Sequence, residues 1–419
     1  MKSLLRKIIT QILARKAKDY LKKHHTQVIG ITGSIGKTST KEAIYVILKD
    51  HFNVFRSKKS FNTEIGISLS ILQEDESGFT SVKKWFQILR RAFMEPKMIY
   101  QKMILEMGAD QPGDIKRLKK IAQPNLAIVT NIAPVHLAEG QFKDIYDIAK
   151  EKSKIIQNLP RNGVAVLNYD DPLIREMDTD AEKLTYGVES AAMVRAQNIN
   201  VTTKHIEFTV HYRNQSQEFK VPVIGKFQVF VLLPAIAVAI KLGMELKECA
   251  DSLAKYKLPP GRMNPIEGKE KTTIIDSSYN ASPVTMEKAL DLLNEVKADR
   301  KIAALGTMNE LGEMTKEAHI ASGRQAAQVA DLLIAVGQEA TTYKQGAMEG
   351  GMREDQIYTF FDSEEAGHFL ENRLQPKDLI LVKGSQNRIR MEKLVKVIMK
   401  KPDQARTLLC RQGDDWDRI

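Results

Sequence analysis

Short apolar runs alternate with helical patterns along most of the chain. Between residue 27 and about residue 260, four runs have the composition of buried strands: residues 28–32, 103–106, 126–130 and 164–168. Continuous apolar strands of this kind are typical of a parallel sheet that helices cover on both faces. Residues 196–223 instead alternate with a period of two, which predicts an antiparallel hairpin or a small subsheet. Residues 235–242 predict a buried helix.

The sequence Leu258-Pro259-Pro260-Gly261 is the best predicted linker, and a second alternating unit follows it. The strand-like runs of that unit are residues 272–276, 302–305, 332–336, 357–360 and 379–382. The predicted fold class is α/β, with a mostly parallel central sheet followed by a C-terminal Rossmann-like domain. The predicted divisions are an N-terminal helix (1–26), a central domain (27–260) and a C-terminal domain (261–419).

Two segments are both basic and amphipathic. Residues 1–25 predict a helix, because Leu5, Ile9, Leu13 and further apolar side chains recur at helical spacing between lysines and arginines. Residues 82–102 have the same character. The pattern leaves several surfaces open for these elements: the body of the protein, a partner chain, each other, or an anionic membrane surface.

Composition narrows the class of protein. The 419 residues carry a net charge of +11, which favours anionic partners such as nucleotides or phospholipid headgroups. Nucleic-acid binding is disfavoured, because aromatic residues total 6% and no nucleic-acid motif occurs. The two cysteines, Cys249 and Cys410, suggest neither a disulfide framework nor a zinc site. With no long apolar run and no signal-peptide pattern, we expect a cytoplasmic protein, peripheral at the inner membrane face if the basic segments bind lipid.

The stretch from Val28 to Ser39 gives the first chemical signal. An apolar run enters a Gly/Ser-rich turn, which continues into Gly-Lys-Thr and a helical pattern. This order predicts a phosphate-binding loop, in which backbone N–H groups and a helix N-terminus bind phosphate oxygens. Lys37 can reach the β- and γ-phosphates of ATP, and the Thr38 hydroxyl suits Mg²⁺. The residues predicted to bind the cofactor here are Gly33, Ser34, Gly36, Lys37, Thr38 and Ser39.

Further polar residues follow the predicted strands, where open α/β sheets bind ligands. Glu106 ends one strand, and the segment that contains His136 follows the next. A carboxylate and an imidazole beside a phosphate loop suit Mg²⁺ held against ATP phosphates. Singly, Glu106 could cap a helix and His136 could lie in a solvated turn. Their order after the phosphate loop favours the metal site.

Nine segments, in this order, resemble the Mur ligases, the ATP-dependent amide-forming enzymes of cell-wall precursor synthesis. They are ITGSIGKTS, FNTEIG, LEMGADQPGDI, TNIAPVHL, AKEKSKII, LPPGRM, IDSSYNASPVTM, LGTMNELGE and LVKGS. The seventh and eighth are most similar to the branch that adds D-alanyl-D-alanine to a UDP-muramoyl tripeptide. The resemblance implies ATP and Mg²⁺ as cofactors, a peptide or UDP-muramoyl-peptide-like carboxylate acceptor, and an amino acid or dipeptide amine.

The resemblance also implies roles for individual residues. Lys37, Glu106, His136 and Lys152 would be catalytic, with Thr38, Glu106, His136 and Lys152 near Mg²⁺. Lys152 matches a lysine that several family members carry as a carbamate; a solvated helix lysine is its alternative. Arg262 would contact ATP phosphates and Asp276 the ribose. The remaining residues, in segments that bind substrate or form a closed interface, are Asn62, Thr63, Asn280, Ser282, His319, Lys383 and Ser385; capping or turn roles are alternatives for Ser282 and Ser385.

Departures from the family pattern leave the substrate open. About 26 residues precede the first predicted strand, too few for the N-terminal domain that binds the UDP-sugar in Mur ligases. Phe227-Gln228 stands in the family's base-contacting His-Asn segment, and Ser277 replaces the second aspartate of an Asp-Asp pair. Gln386 replaces an arginine, although Arg388 and Arg390 are close in sequence. The alternatives are the same chemistry on another wall polymer, a lipid-linked or a poly-amino-acid substrate, or a non-catalytic Mur-like subunit.

Overall fold

The computed structural model describes residues 2–57, 63–74, 82–94, 98–135, 141–189, 191–202, 204–386, 389–413 and 416, with the backbone alone for 2–6 and 82–86. The chain forms two compact units. The first comprises Met1–Asn198, Phe208–Phe219 and Val229–Tyr256, and the second comprises Ile199–Glu207, Lys220–Gln228 and Lys257–Ile419.

Helices and strands alternate in both units. The helices are α1 Lys2–Lys23, α2 Lys37–Leu48, α3 Glu64–Ile71, α4 Val82–Ala92, α5 Asp114–Ile121, α6 Ile145–Ser153, α7 Pro172–Arg175, α8 Val229–Lys241, α9 Leu246–Leu253, α10 Pro283–Glu295, α11 Thr315–Val329, α12 Ala340–Glu349, α13 Ser363–Glu371, α14 Glu392–Ile398 and α15 Ala405–Leu408. The strands are β1 Gln27–Thr32, β2 Val54–Arg56, β3 Lys102–Glu106, β4 Leu126–Val129, β5 Val164–Asn168, β6 Glu182–Gly187, β7 Val194–Val201, β8 Ile206–Tyr212, β9 Gln215–Val221, β10 Asn264–Glu267, β11 Thr273–Ser277, β12 Lys301–Gly306, β13 Leu332–Val336, β14 Ile357–Phe360 and β15 Leu379–Lys383.

The first sheet has the order β2-β3-β1-β4-β5-β6-β7-β8-β9. Strand β1 is parallel to both of its neighbours: Ile31 lies opposite Glu106 of β3, and Thr32 lies opposite Val129 of β4. The three strands therefore end at one edge, and the chain leaves β1 between a strand on either side. Such a point is where open α/β sheets bind ligands. The four strands predicted for this region are confirmed to within one residue at each end.

The period-two region adds three strands to this sheet. Strands β8 and β9 are neighbours joined by two residues, as predicted for a hairpin. They extend the nine-stranded sheet beyond β7, so this region forms one end of the larger sheet. Their pairing is reinforced by Phe208 and Phe219, whose stacked rings have centroids 5.3 Å apart.

Helix α8 begins six residues before the predicted start at residue 235. Local preference favours a start after Pro234, because proline disfavours a helical residue before it. The structure continues the helix through Pro234, since Val229, Leu232 and Leu233 before it are fully buried. Burial of these side chains in the first unit outweighs the local cost of the proline.

Helix α1 packs on the body of the first unit. Leu13 and Ala17 are fully buried, and Ile9 and Tyr20 are nearly so, within the same core as Val28 of β1. This confirms the body of the protein as the surface that the apolar face of α1 contacts. In the part of the chain that the structure describes, no helix combines the length and the apolar character needed to cross a membrane.

The basic segment 82–102 is not one helix. Helix α4 ends at Ala92, and Lys102 begins β3, where it is buried and donates to Gln27 Oε1 at 2.7 Å. The segment therefore contains the end of one helix and the start of a strand, and Pro96 in the sequence between them is a residue that a helix interior disfavours.

The second sheet has the order β10-β11-β15-β12-β13-β14, parallel from β11 to β14. One apolar core, with Leu290 and Leu305, covers one face; a second, with Ile302 and Leu394, covers the other. This doubly covered sheet confirms the Rossmann-like expectation. Strand β10 is antiparallel to β11 and was not predicted, because Pro265 lies within it and prolines occur at edge strands.

We expect Leu13→Ala to lower the free energy of unfolding of the first unit by about 2–5 kcal/mol, the range for removing a buried leucine side chain. Ile8→Ala, on the same helix but 45% exposed, is the matched control and should change it by less than about 1 kcal/mol. Urea unfolding of both variants measures the difference. Equal, small effects would contradict the packing of α1 in the core.

Candidate active site

The phosphate-loop sequence forms a tight turn between β1 and α2. Gly33 has a φ of 144° and Gly36 a φ of 86°, conformations that side chains disfavour. A Cβ atom on Gly33 would lie 1.9 Å from Thr130 Oγ1, so only glycine fits beneath this loop. Helix α2 begins directly afterwards at Lys37, and its first N–H groups have no intrahelical partners. The loop therefore has the backbone of an anion-binding turn.

The segment after β4 holds this loop in place. Asn131 accepts from Ser34 N through its carbonyl (2.9 Å) and from Ile35 N through Oδ1 (2.7 Å). Thr130 Oγ1 donates to Ile35 O at 2.7 Å, and Ser34 Oγ donates to Ala133 O at 3.0 Å. Sequence analysis placed Thr130 and Asn131 in the strand-end segment TNIAPVHL but assigned neither of them a role. The available signal was their position at the end of a strand next to β1.

The Lys37 ammonium lies over the loop. Its Nζ donates to Gly33 O at 2.6 Å and to Ser34 O at 3.2 Å. The positive charge is thus held at the anion-binding turn, as the sequence predicts for a lysine that contacts phosphate.

Thr38 and Glu106 meet where β1 and β3 end. Thr38 Oγ1 donates to Glu106 Oε2 at 3.1 Å. The other carboxylate oxygen, Oε1, lies 3.0 Å from Lys41 Nζ, which also donates to Ser57 O at 2.7 Å. Lys41 is fully buried and Glu106 nearly so. Lys41 fixes one carboxylate oxygen and leaves the other directed at Thr38, a role that sequence reasoning missed because most lysines are solvated.

These two oxygen donors fit Mg²⁺. A hydroxyl and a carboxylate oxygen 3.1 Å apart are hard ligands, and Mg²⁺ typically takes one or two carboxylates together with substrate phosphates. The third predicted ligand, His136, lies outside the described residues. Within the described ranges, no cluster of three histidine, cysteine, aspartate or glutamate side chains could hold a metal. The fit therefore depends on the Thr38–Glu106 pair.

Lys152 is buried on α6 with 1% of its surface exposed, so its solvated alternative is wrong. Burial, together with the nearby positive charge of Lys37, lowers the Lys152 pKa to about 7, although Asp110 and Glu151 partly oppose the shift. Its ammonium makes no hydrogen bond or ion pair with any described residue. A buried amine of this kind is partly neutral near neutral pH and is a nucleophile.

The remaining predicted residues of the first unit have local structural contacts. Thr63 caps α3, because its Oγ1 accepts from Gly66 N at 3.2 Å. Ser39 is buried on α2, and its carbonyl accepts from Tyr256 Oη at 2.9 Å. Asn62 lies outside the described residues.

In the second unit, Asp276 and Lys383 lie at the ends of the adjacent strands β11 and β15. Asp276 is fully buried; Oδ1 accepts from Ser278 N at 3.0 Å, whereas Oδ2 has no hydrogen-bond partner among the described residues. Burial raises the Asp276 pKa to about 6. Lys383 Nζ donates to Asn280 O at 2.8 Å, and burial with the neighbouring Arg262 charge lowers the Lys383 pKa to about 7. The Arg262 guanidinium lies 4.1 Å above the Tyr279 ring.

Other predicted substrate residues of this unit hold its loops together. His319 is fully buried; Nε2 accepts from Met308 N at 2.9 Å, and Nδ1 lies 2.6 Å from Thr315 O. Ser385 Oγ donates to Ala281 O at 3.1 Å and accepts from Asn309 N at 2.9 Å. Ser282 is the N-cap of α10, where Thr285 Oγ1 accepts from Ser282 N at 2.9 Å. These contacts are those of supporting residues, whereas Asn280 is exposed beside Lys383.

A buried ion-pair cluster near the C-terminus supports the loop after Asp276, and sequence reasoning missed it. Arg411 NH2 lies 2.6 Å from Glu392 Oε2, and it also donates to Ser278 O at 2.5 Å. Arg390 Nε lies 3.0 Å from the same carboxylate. Arg390 is therefore paired within this cluster, so it does not take over the role of the arginine that the family has at the position of Gln386. Arg388 lies outside the described residues.

Two models of known protein families match the parts of the chain that carry this geometry. The profile of the Mur ligase middle domain matches residues 31–239, and that of the Mur ligase glutamate ligase domain matches residues 261–386. These matched ranges contain the phosphate loop, Glu106 and Lys152 in the first case, and Arg262, Asp276 and Lys383 in the second.

Relatives and solved structures agree with the profiles. The chain is 28% identical to the UDP-N-acetylmuramoyl-tripeptide–D-alanyl-D-alanine ligase of Bacillus subtilis, over 93% of this chain and 79% of that protein. It is 30% identical to the same-named ligase of Mycobacterium tuberculosis, over 85% and 70%. The MurF ligase of Thermotoga maritima, solved in complex with ADP, is 27% identical and superposes with a TM-score of 0.77 over 94% of this chain and 84% of that one. The chain belongs to the Mur ligase family of enzymes, which use ATP and Mg²⁺.

Proposed function

We propose that this Mur ligase joins D-alanyl-D-alanine to the free carboxylate of a UDP-muramoyl tripeptide, in peptidoglycan precursor synthesis. The ligases of Bacillus subtilis and Mycobacterium tuberculosis are named for this reaction. The observation that carries the catalytic part of the proposal is the Thr38–Glu106 pair at the phosphate loop, fixed by buried Lys41. A non-catalytic subunit would not need so ordered a phosphate and metal site.

The reaction has two steps. A carboxylate oxygen of the acceptor attacks the γ-phosphorus of ATP, and the bond from that phosphorus to the bridging β-phosphate oxygen breaks. ADP departs as the leaving group, and the acceptor becomes an acyl phosphate. The amine nitrogen then attacks the acyl carbon, loses a proton and expels phosphate. Bound Mg²⁺ would neutralise charge on the transferring phosphoryl group.

Residues of the first unit would stabilise the charge that develops on the phosphates. Lys37 is positioned over Gly33 and Ser34, where it would contact the phosphate oxygens. Thr38 and Glu106 would hold Mg²⁺. Lys41 is a positioning residue, because it contacts the carboxylate of Glu106 and leaves Oε2 for the metal.

Residues of the second unit would bind the remaining parts of the substrates. The unpaired Oδ2 of Asp276 is a buried acceptor that a ribose hydroxyl would satisfy. Arg262 would contact phosphate, and Lys383 with Asn280 would contact the amine substrate. Gln386 stands where the family has an arginine that would bind the carboxylate of the amine substrate. The second candidate function is therefore the same reaction with another amine or another acceptor.

The first experiment is phosphate release from ATP and Mg²⁺ by the purified full chain. We expect release only when D-alanyl-D-alanine and the UDP-muramoyl tripeptide are both present. Lys37→Ala should lose at least about a hundredfold in rate, since it removes charge stabilisation of the transition state. Lys49→Ala, an exposed lysine just after α2, is the matched control. Nucleotide binding without release would contradict the proposed substrates and redirect the search to another acceptor.

We expect Lys41→Met to lower the free energy of unfolding by about 3–5 kcal/mol, because the variant leaves the Glu106 carboxylate buried without its cation. Phosphate release should fall at least about tenfold. The double variant Lys41→Met/Glu106→Gln should recover much of the stability while activity stays low. Denaturant unfolding and phosphate release measure the two effects. Unchanged activity in Lys41→Met would contradict the positioning role.

We propose that Lys152 carries a carbamate. The neutral amine would attack CO₂ and lose one proton, and the pKa of about 7 predicts a larger neutral fraction at pH 8 than at pH 6. With ¹³C-labelled bicarbonate, a carbamate carbon signal should therefore be stronger at pH 8. Lys152→Gln should remove this signal and the ligase activity.

The matched control is Lys150→Gln, on the same helix but exposed. It should keep both the signal and the activity. A carbamate signal that survives in Lys152→Gln, or that never appears in the natural sequence, would contradict the assignment.

A further inference from the structure

The positive charge of this chain is concentrated in two segments that the ligase chemistry does not use. Residues 1–25 and 82–102 contain fourteen lysines and arginines and only two carboxylates, a net charge of +12. The whole chain carries +11, so the remaining sequence is close to neutral. An anionic partner that responds to net charge would therefore be attracted to these two segments.

Exposed apolar side chains lie in the same segments. Phe93 is 62% exposed, Met94 63%, Met98 51% and Ile99 56%, and Ile8 on α1 is 45% exposed. Single exposed apolar residues are ordinary, but a concentration of large ones indicates an interaction site. The sequence neighbours Phe93 and Met94 follow the exposed Arg90 and Arg91 of α4, with only Ala92 between the two pairs.

The backbone that carries Met98 and Ile99 is fixed by the fold. Met98 O accepts from Tyr20 Oη at 3.2 Å and from Gln73 Nε2 at 2.6 Å. Ile99 O accepts from Asn53 Nδ2 at 2.6 Å. Because three separate elements hold these carbonyls, the two apolar side chains are presented outward from a fixed backbone.

Helix α1 contacts the residue that follows the end of α4. Lys16 Nζ lies 4.3 Å from the centre of the Phe93 ring, a cation–π contact between the two segments. The apolar face of α1 is already buried in the core, so its exposed face presents the basic side chains, including Arg15 and Lys18. Basic and exposed apolar side chains thus share one surface, made of α1 and residues 90–94, 98 and 99, which we call the basic-apolar surface.

We propose that the basic-apolar surface docks on an anionic phospholipid bilayer. Lysines and arginines would contact headgroup phosphates, and Phe93, Met94, Met98 and Ile99 would enter the boundary of the acyl chains. Protein interfaces also bury apolar side chains, but charged residues are depleted around those side chains at the interface core. Here only Ala92 separates Arg90 and Arg91 from Phe93 and Met94, and Lys97 directly precedes Met98 and Ile99. The membrane therefore fits both features, and it goes beyond the proposed reaction, which needs no lipid.

Vesicle flotation of the full chain tests this proposal. We expect binding to phosphatidylcholine vesicles that contain 30% phosphatidylglycerol, and little binding to pure phosphatidylcholine. The charge variant Arg90→Glu/Arg91→Glu should lower the partition coefficient at least about tenfold, since each basic residue near such a surface contributes about a factor of five. The apolar variant Phe93→Ser/Met94→Ser should lower it about tenfold as well.

Matched controls use the same changes elsewhere. Lys288→Glu/Lys297→Glu changes two exposed lysines, and Phe361→Ser changes an apolar residue that is 77% exposed. Both should bind vesicles like the natural sequence. The basic-apolar variants should keep full ligase activity on water-soluble substrates, which separates this proposal from the proposed function. The proposal is overturned if the chain does not float with anionic vesicles, if the controls lose as much binding, or if the apolar variant binds normally. A chain that does not float would indicate an acidic protein as the partner of this surface.

Discussion

The parallel pairing of β1 with β3 on one side and β4 on the other is the constraint on which the candidate site depends. It sets Ile31 beside Glu106 and Thr32 beside Val129, so the loops that follow β1, β3 and β4 start side by side from one edge of the sheet. The phosphate loop follows β1, Glu106 ends β3, and the loop that holds Ser34 and Ile35 follows β4. A one-residue shift of β3 would direct Glu106 to the opposite face of the sheet and remove it from Thr38.

Buried charged groups lie at the candidate sites of both units. Lys41 and Glu106 compensate each other in the first unit, and Arg390, Glu392 and Arg411 do so in the second. Lys152, Asp276 and Lys383 are buried with less compensation, and burial moves the pKa of each toward neutrality. Strongly shifted pKa values of this kind cluster at functional sites, where a ligand can supply the missing interaction. Their positions coincide with the parts of the chain that match the Mur ligase profiles.

The basic segments illustrate how one amphipathic pattern can serve two surfaces. The sequence of α1 fits both a core and a membrane, and the structure assigns its apolar face to the core through Leu13 and Ala17. In the proposal, the apolar residues available to a bilayer are then Phe93, Met94, Met98 and Ile99, and not the apolar face of α1. Helical spacing alone could not make this distinction, because Phe93, Met94, Met98 and Ile99 lie outside α4, which ends at Ala92.

The sequence by itself determined the alternation of strands and helices, the glycine turn with Lys37 and Thr38, and the strand-end position of Glu106. These features are local: they depend on apolar runs, on glycine conformations and on the order of residues along the chain. The tertiary structure alone decided that Lys41 holds Glu106, that Lys152 is buried near Lys37, and that His319 and Ser385 support loops. It also decided that α8 continues through Pro234 and that β10 pairs with β11. Each of these features depends on residues that are distant in sequence. Burial and neighbouring charges shift the pKa of a side chain from its usual value and decide its partners, and neither can be seen from the residue type.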